Sequence, residues 1–419
     1  MQDYTEYWLP ACAGMTSEEL FNMKYIIIGN GVAGTTAAAN IRKIDNEGEI
    51  TIVSDEAYSF YSRIRLIDYL AGETDEQGLV IYKDAWYEKN NIKLLLNTPV
   101  SEIDKDRKEI VIPLGNRLKY DKLLIATGGF SFVPPIPGSD KKGVFSLRTL
   151  NDAIAIKKFA GQAKNVALIG GGVLGLEVGN SLRKAGHPVT VIEFFPRLLP
   201  KQMDVEGAQI LQAQMEKMGF AFYLGEKTRE IFGDEKAGGV RLENGTIIDC
   251  EMVIISAGVR PNIELANKLG VKYSKGLPVN DRMETEIPDI YAAGDLIEHR
   301  GNCYGIWPAA EKHGEVAGIN MSGGNAIYTG TVPSNVLKIV GIDLIAAGDI
   351  DAEGKRESIV QKDREKSIYR KLVIMDTAIC GCILYGNIEG WKKIKKAIDE
   401  KKDISSVISE LKKWNLEAL

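Results

Sequence analysis

Two glycine triplets in this sequence have the spacing to hold a phosphate: Gly29-x-Gly31-x-x-Gly34 and Gly170-x-Gly172-x-x-Gly175. In this pattern the first glycine makes a tight strand-to-helix turn and the second lets the backbone approach a pyrophosphate. The third lets helix and strand pack closely. The anion then rests on a helix N-terminus, where free N–H groups and the helix dipole favour negative charge. An acidic residue follows each triplet at the end of a second apolar run: Asp55-Glu56 after Thr51-Ile52-Val53-Ser54, and Glu193 after Val189-Thr190-Val191-Ile192. A carboxylate there accepts hydrogen bonds from ribose hydroxyls and repels a 2′-phosphate. Phe194 and Phe195 follow Glu193, and Arg197 is displaced from where an NADP site would place a base, so the second motif favours NAD(H).

The elements that must position these residues repeat. Ile28–Lys43 and Ile169–Lys184 share seven identities in sixteen aligned positions. Each segment follows a short apolar run, Tyr25-Ile26-Ile27 or Val166-Ala167-Leu168, that reads as a buried parallel strand, and each leads into a helix-like stretch. Later partners of one type, Leu123–Gly128 and Val253–Gly258, complete the pattern. The chain thus holds two copies of one nucleotide-binding module, an α/β fold with two Rossmann-like domains. At 419 residues, 45% hydrophobic and 26% charged, it has room for two or three domains and is neither disordered, collagen-like nor a disulfide-dense module. Fifty-two basic against 57 acidic residues give a net charge of −5, so no nucleic-acid partner is expected. No uncharged apolar stretch reaches the about 20 residues of a membrane span, and no membrane partner is expected. Residues 1–22 lack the basic start and apolar core of a signal peptide and are expected to be a disordered extension or a misplaced start before Met23. Five irregularly spaced cysteines fit a reducing, cytoplasmic setting.

From Lys24 to Gly323 the sequence resembles the two-dinucleotide-fold flavoproteins of the pyridine nucleotide–disulfide oxidoreductase superfamily. Besides the triplets, the resemblance is carried by Ala126-Thr127-Gly128, by Ser256-Ala257-Gly258 before Val259-Arg260-Pro261-Asn262, and by Thr285-x-x-x-Asp289-Ile290-Tyr291-Ala292-Ala293-Gly294-Asp295. It implies an FAD domain (23–140 and 277–328) interrupted by an NAD domain (141–276), with a small α+β domain over 329–419. FAD would then lie on Gly29, Gly31, Ala33 and Gly34, among Asp55, Glu56, Val100, Ala126, Thr127 and Gly128, with Gly294 and Asp295 closing the site. NADH would lie on Gly170, Gly172, Val173 and Gly175, with Glu193 and Gly258. Tyr61-Ser62-Arg63 is similar to a segment whose arginine runs along FAD in the ferredoxin-reductase-like and apoptosis-inducing-factor-like branches. Arg148 matches a second such arginine, and Trp307-Pro308-Ala309-Ala310-Glu311 matches backbone laid against the isoalloxazine edge. Positive charge and N–H groups suit that place because reduced flavin carries an anion at its pyrimidine end. Asp68 departs from the lysine those branches have five residues after the arginine. Glu177 matches a position where relatives place a carboxylate near the nicotinamide. Asp84–Ile92, Val279–Thr285 and Glu311–Gly318 resemble NADH–rubredoxin oxidoreductases and the flavin portion of assimilatory nitrite reductases.

Absent residues narrow the chemistry further. No cysteine occurs between Cys12 and Cys250, and Ser59-Phe60-Tyr61-Ser62 is followed by Arg63 where thiol-dependent relatives place a cysteine. A thiolate attacks peroxide or disulfide, so thiol-based reduction is excluded. Cys380-Gly381-Cys382 reads as part of a core strand pair turning near Asp376-Thr377, its thiols acting as small hydrophobes. His187, His299 and His313 are scattered, so no metal site is expected, and His313 is placed on a helix surface. Beyond Gly330, strands around 336–339, 343–346, 367–372 and 380–385 precede two amphipathic helices, one lined by Trp391, Ile394 and Ile398, the other by Val407, Ile408, Leu411 and Trp414. Their lysines read as solvated surface; docking of an acidic carrier is the sharper alternative, weakened by interleaved acids such as Glu389 and Asp399.

The resemblance and the motifs together lead us to expect an FAD-dependent oxidoreductase. Hydride would pass from NADH to flavin, and electrons then to a small protein carrier such as rubredoxin. No general base is required, because stacking the nicotinamide on the ring suffices. The alternatives are a nitrite-reductase-like diaphorase, an NADH oxidase, or a non-enzymatic NADH-responsive redox sensor. The Glu193→Arg variant is expected to raise KM for NADH and lower it for NADPH in steady-state kinetics. Unchanged NADH kinetics would remove Glu193 from the ribose.

Overall fold

The computed structural model describes residues 22–331 and 334–419, so the segment expected to be an extension lies outside the described residues apart from Asn22. The apolar run at Tyr25 forms the centre of a five-stranded parallel sheet ordered Ile290–Ala292, Lys122–Ile125, Lys24–Ile28, Glu49–Val53, Ile92–Leu95. The run at Val166 centres a second parallel sheet ordered Ala221–Leu224, Val189–Glu193, Val166–Ile169, Met252–Ile255, Val144–Phe145. In both sheets the chain first adds a strand on one side of the central strand and later one on the other. That reversal opens a crevice at the carboxyl ends of the strands, above the glycine turn. The first sheet is completed by Ile290–Ala292 only after the whole second module has been built, so the second module interrupts the first.

Helix packing explains which residues had to be small. Helix Val32–Ile44 crosses helix Trp307–Met321, the most extensively paired helices of the molecule. A Cβ on Gly314 would lie 2.3 Å from the Ala33 carbonyl oxygen, and one on Gly318 would lie 2.5 Å from that of Ala37. The two helices therefore meet backbone to backbone, and the N-terminus of the second, with Trp307, is held beside the first glycine turn. The chain returns to the first core earlier than 277, because Leu265, Ala266, Leu269 and Val271 are buried there. An antiparallel ribbon, Gly129–Ser131 with Val259–Pro261, carries the chain between the modules.

The remaining segment forms a five-stranded antiparallel sheet ordered Ser334–Ile339, Ile342–Gly348, Ala378–Tyr385, Ile368–Met375, Glu357–Asp363. Helix Trp391–Asp399 packs on it, while the second expected helix is a single turn, Ile408–Leu411. This sheet docks on the second module through a buried charge. Lys371, 3% exposed, donates to Asp204 Oδ2 at 3.0 Å and to the Asp351 carbonyl at 2.9 Å. The Tyr369 hydroxyl donates to the same Asp204 oxygen at 2.6 Å, while Asp204 Oδ1 caps helix Val205–Lys217 by accepting from the Gly207 N–H at 2.9 Å. Removing one member of a buried pair strands the other charges in low dielectric. Lys371→Met is therefore expected to cost about 3 kcal/mol in chemical denaturation. Lys362→Met, which breaks the more exposed Lys362–Glu206 pair, should cost less than about 1 kcal/mol. Equal small losses would show that the buried pair does not hold the domains together.

Candidate functional site

The first glycine turn forms the floor of a cleft of about 350 Å³. Gly29 has φ +117°, and a Cβ there would lie 2.2 Å from the Ala126 carbonyl oxygen; one on Gly34 would lie 2.0 Å from that of Gly29. Both positions thus exclude side chains. Gly31 differs, because its Cβ would meet nothing within 4 Å. It caps helix Val32–Ile44, whose first intrahelical bond is Thr35 N–H to the Gly31 carbonyl at 3.0 Å. The N–H groups before it have no acceptor within the helix, which makes this end a natural anion seat.

Every residue expected around FAD lines this cleft except Gly34, which lies behind the turn: Gly29, Gly31, Ala33, Asp55, Glu56, Arg63, Val100, Ala126, Thr127, Gly128, Arg148, Gly294, Asp295 and Trp307. Both of its arginines are already paired. Arg63 binds the Glu56 carboxylate, whose other oxygen accepts from the Tyr61 hydroxyl at 2.5 Å. Arg148 Nη2 lies 2.8 Å from Asp295 Oδ2, and its Nε donates to the Gly129 carbonyl at 3.0 Å. The Arg148 backbone is fixed in turn, since Asp152 accepts its N–H as part of the Thr149 capping box of helix Leu150–Ala160. Asp289, in the motif leading to Asp295, is clamped by Lys108 at 2.6 Å and Lys122 at 2.5 Å, and those bonds hold its carboxyl below the usual range. Asp68 pairs with Arg65 at 3.0 Å instead of facing the cleft.

The second turn repeats the geometry on a narrower scale, about 150 Å³. Gly172, Val173 and Gly258 line the cavity, with Gly170 and Gly175 behind them. Glu193 is buried and closes back on the turn: Oε2 accepts the Gly171 N–H at 2.5 Å and Oε1 the Phe195 N–H at 2.8 Å. The two clefts meet at the connecting ribbon, for Gly128 and Gly129 wall the first while Ser131, Gly258 and Val259 wall the second. Two ligands seated in them would approach each other across that ribbon.

Some expectations are displaced. Glu177 lines neither cleft; its carboxylate accepts the Val340 N–H at 2.6 Å, and burial raises its pKa, so it fastens the C-terminal domain. His313 is 1% exposed, not on a helix surface. It packs edge-on against Tyr304 and Tyr328, and burial pushes it down to about 3, so the ring is neutral. Asn262 and Glu264 line the first cleft, although they fall within the span 141–276 expected for the second module. The signal was tertiary: the Thr127 hydroxyl donates to the Asn262 carbonyl at 2.9 Å, and the Asn262 N–H donates to that of Gly128 at 2.9 Å. Among the described residues no cysteine lines either cleft. Burial pushes the thiols of Cys250 and Cys382 up to about 12, and raises that of Cys380. No group of three or more His, Cys, Asp or Glu among those residues is placed to hold a metal.

Residues 333–402 match the family described as Rubredoxin NAD+ reductase C-terminal domain. The nitrite reductase [NAD(P)H] of Bacillus subtilis is 36% identical over 397 residues, covering 94% of this chain and 49% of that protein. The chain thus spans about half the length of that relative. The NADH-rubredoxin oxidoreductase of Clostridium acetobutylicum is 33% identical over 92% of this chain and 97% of its own. The crystal structure of that oxidoreductase superposes with a TM-score of 0.80 at 31% identity, again covering 92% and 97%. A NAD-dependent persulfide reductase from A. fulgidus superposes with a TM-score of 0.84 at 28% identity, covering 92% of this chain and 78% of that one. Residues 23–314, which hold both glycine turns and the ribbon between their clefts, match the family described as Pyridine nucleotide-disulphide oxidoreductase, and the chain belongs to that family, whose cofactors are FAD and NADH.

Proposed function

We propose that this chain is an NADH-dependent flavoprotein reductase that passes electrons to a small protein carrier, rubredoxin, in a reducing cytoplasm. The observation that carries the reading is the pair of glycine-floored clefts meeting at one ribbon, with no thiol lining either among the described residues. FAD belongs in the first cleft: it is the larger, and its floor has a free helix N-terminus and a turn open at Gly31. NADH belongs in the second, with Glu193 assigned to the ribose; Glu193 does not line the cavity but is hydrogen-bonded to the backbone of its turn. Bound flavin supplies the chemistry that links a two-electron hydride donor to a one-electron acceptor. Arg148 and Arg63 hold positive charge along the first cleft, each tied to a carboxylate, so the cleft presents fixed dipoles.

The C-terminal domain supports rubredoxin as acceptor, since it matches the domain of rubredoxin NAD+ reductases. A second reading, electron input to a nitrite reductase, is favoured by the 36% identity to the nitrite reductase of B. subtilis. Anaerobic mixing of the yellow protein with NADH and oxidised rubredoxin separates them. Bleaching of the rubredoxin visible band over many turnovers, well above the rate of oxidation in air, is the expected result. Bleaching of flavin alone would refute rubredoxin and leave the nitrite-reducing partner to be tried.

Two glycine variants test the assignment of clefts. Gly31 and Gly172 have negative φ (−99° and −82°) and no neighbour that a Cβ would strike, so the fold should accept a side chain at either. Gly31→Val should give folded, colourless protein. Gly172→Val should stay yellow yet fail to bleach with NADH. Loss of colour in the second variant, or retention in the first, would reverse or refute the assignment.

A further inference from the structure

The loop after Glu193 touches the glycine turn at one end and the C-terminal domain at the other. Leu199 donates its N–H to the Gly171 carbonyl at 3.1 Å, and a Cβ on Gly171 would meet the Leu198 side chain at 2.9 Å and Glu193 Oε2 at 3.1 Å. Arg197 is thus one residue from a side chain that flanks the coenzyme turn. Its guanidinium points elsewhere: Nε donates to the Met203 carbonyl at 3.3 Å and Nη2 to Glu353 Oε1 of the C-terminal domain at 2.9 Å. The Arg197 side chain is only 14% exposed, while that of Glu353 is 60% exposed, so the arginine is held against the protein and the carboxylate meets it from the solvent side. The turn that carries Glu353 is itself fixed, because the Asp351 carboxylate accepts the N–H groups of Lys355 at 2.7 Å and Arg356 at 3.0 Å. The Lys371–Asp204 contact anchors the far end of the loop.

We propose that Glu353 is a specificity-determining residue: it draws Arg197 away from the ribose of the second cleft and so denies NADPH a cation for its 2′-phosphate. The inference rests on the placement of NADH on Gly170–Gly175 and Glu193. Two devices then exclude NADPH in series. Glu193 repels the phosphate, and Glu353 removes the one arginine that the loop could offer it. Arginine grips phosphate with paired, charge-assisted hydrogen bonds, so its withdrawal matters most once the repelling carboxylate is gone. Lys201, exposed in the loop itself, is a further cation, and another, Lys227, lies 5.7 Å from the centre of the exposed Phe194 ring and 3.8 Å from Glu243. These two lysines are the competing sources of any phosphate binding.

The test is a set of four flavin-loaded full-length proteins assayed with NADH and NADPH, using ferricyanide as acceptor: Glu353→Gln, Glu193→Gln, the double variant, and the double variant with Arg197→Gln. Glu353→Gln alone should leave kcat/KM for NADH within about twofold. Glu193→Gln should raise KM for NADH by about threefold or more through loss of charge-assisted bonds to ribose. The double variant should gain about tenfold in kcat/KM for NADPH beyond the product of the single changes, and Arg197→Gln should cancel that gain. Loosening of the domain interface would instead raise KM for both coenzymes equally. A double variant no better than the product of its parts, with NADH still sensitive to Glu193, overturns the proposal alone. A gain that survives Arg197→Gln assigns the phosphate to Lys201 or Lys227 and overturns it too. NADH kinetics indifferent to Glu193→Gln overturn the ribose assignment and the proposal together.

Discussion

Gly34 meets the carbonyl of Gly29 so closely that a Cβ would sit 2.0 Å from its oxygen, and Gly175 meets that of Gly170 with room for only 2.5 Å. This contact between the first and last glycine of each turn fixes where each helix begins relative to its strand. With the helix start fixed, the unbonded N–H groups of its first turn face the crevice between diverging strands. The same closeness recurs where Gly314 and Gly318 lie against Ala33 and Ala37, which carries the Trp307 end of a distant helix to the first turn. Bulk at any of these contacts would push apart elements that have no other reason to meet at that spot.

Around the first turn, charge is organised in closed pairs. Glu56 with Arg63 and Arg148 with Asp295 face one cleft, and each arginine is also tied to backbone or to a second side chain. Partly exposed pairs of this kind contribute little stability. Their value is directional: they keep guanidinium groups pointed at a cleft while no ligand is needed to hold them there. The capping box at Thr149 and Asp152 does the same for the Arg148 backbone, at the cost of no additional charge. A cleft in which two guanidinium groups are preset in this way has fixed donors to offer a cofactor whose reduced form is an anion.

Much of this was legible in the sequence because it is local. The strand, glycine turn and helix of each module follow from residues within twenty positions, and the acidic residue at the end of the next strand follows from alternation and length. The repeat made the two modules and their later partner strands readable, but not the order of the sheets. What could not be read depends on packing between distant segments. Glu177 has the spacing of a residue beside the coenzyme, but a backbone N–H from Val340 reaches it first. His313 occupies a position on its helix that faces Tyr304 and Tyr328, which lie outside that helix, and so it is buried. The return at Leu265 has too short an apolar pattern to reveal which core it joins. The segment after Val407 has helical spacing, yet Trp414 turns out of the helix with φ +58° and lays its ring beneath the Arg370 guanidinium at 4.1 Å.

The ribbon Gly129–Ser131 with Val259–Pro261 sets the direction of any reaction between the clefts. Its two strands leave one cleft and enter the other, so neither module can shift without dragging the wall of its neighbour. Thr127 and Asn262 tie the ribbon to the first cleft by two hydrogen bonds of 2.9 Å. Transfer between two bound rings would demand near-contact geometry, and a wall shared by both clefts would favour it. A thiol route would need an ionisable cysteine at the same wall, whereas the described cysteines line neither cleft and the buried ones are held protonated. The first cleft is open to solvent at Ile64, and an acceptor of electrons would reach it from that side.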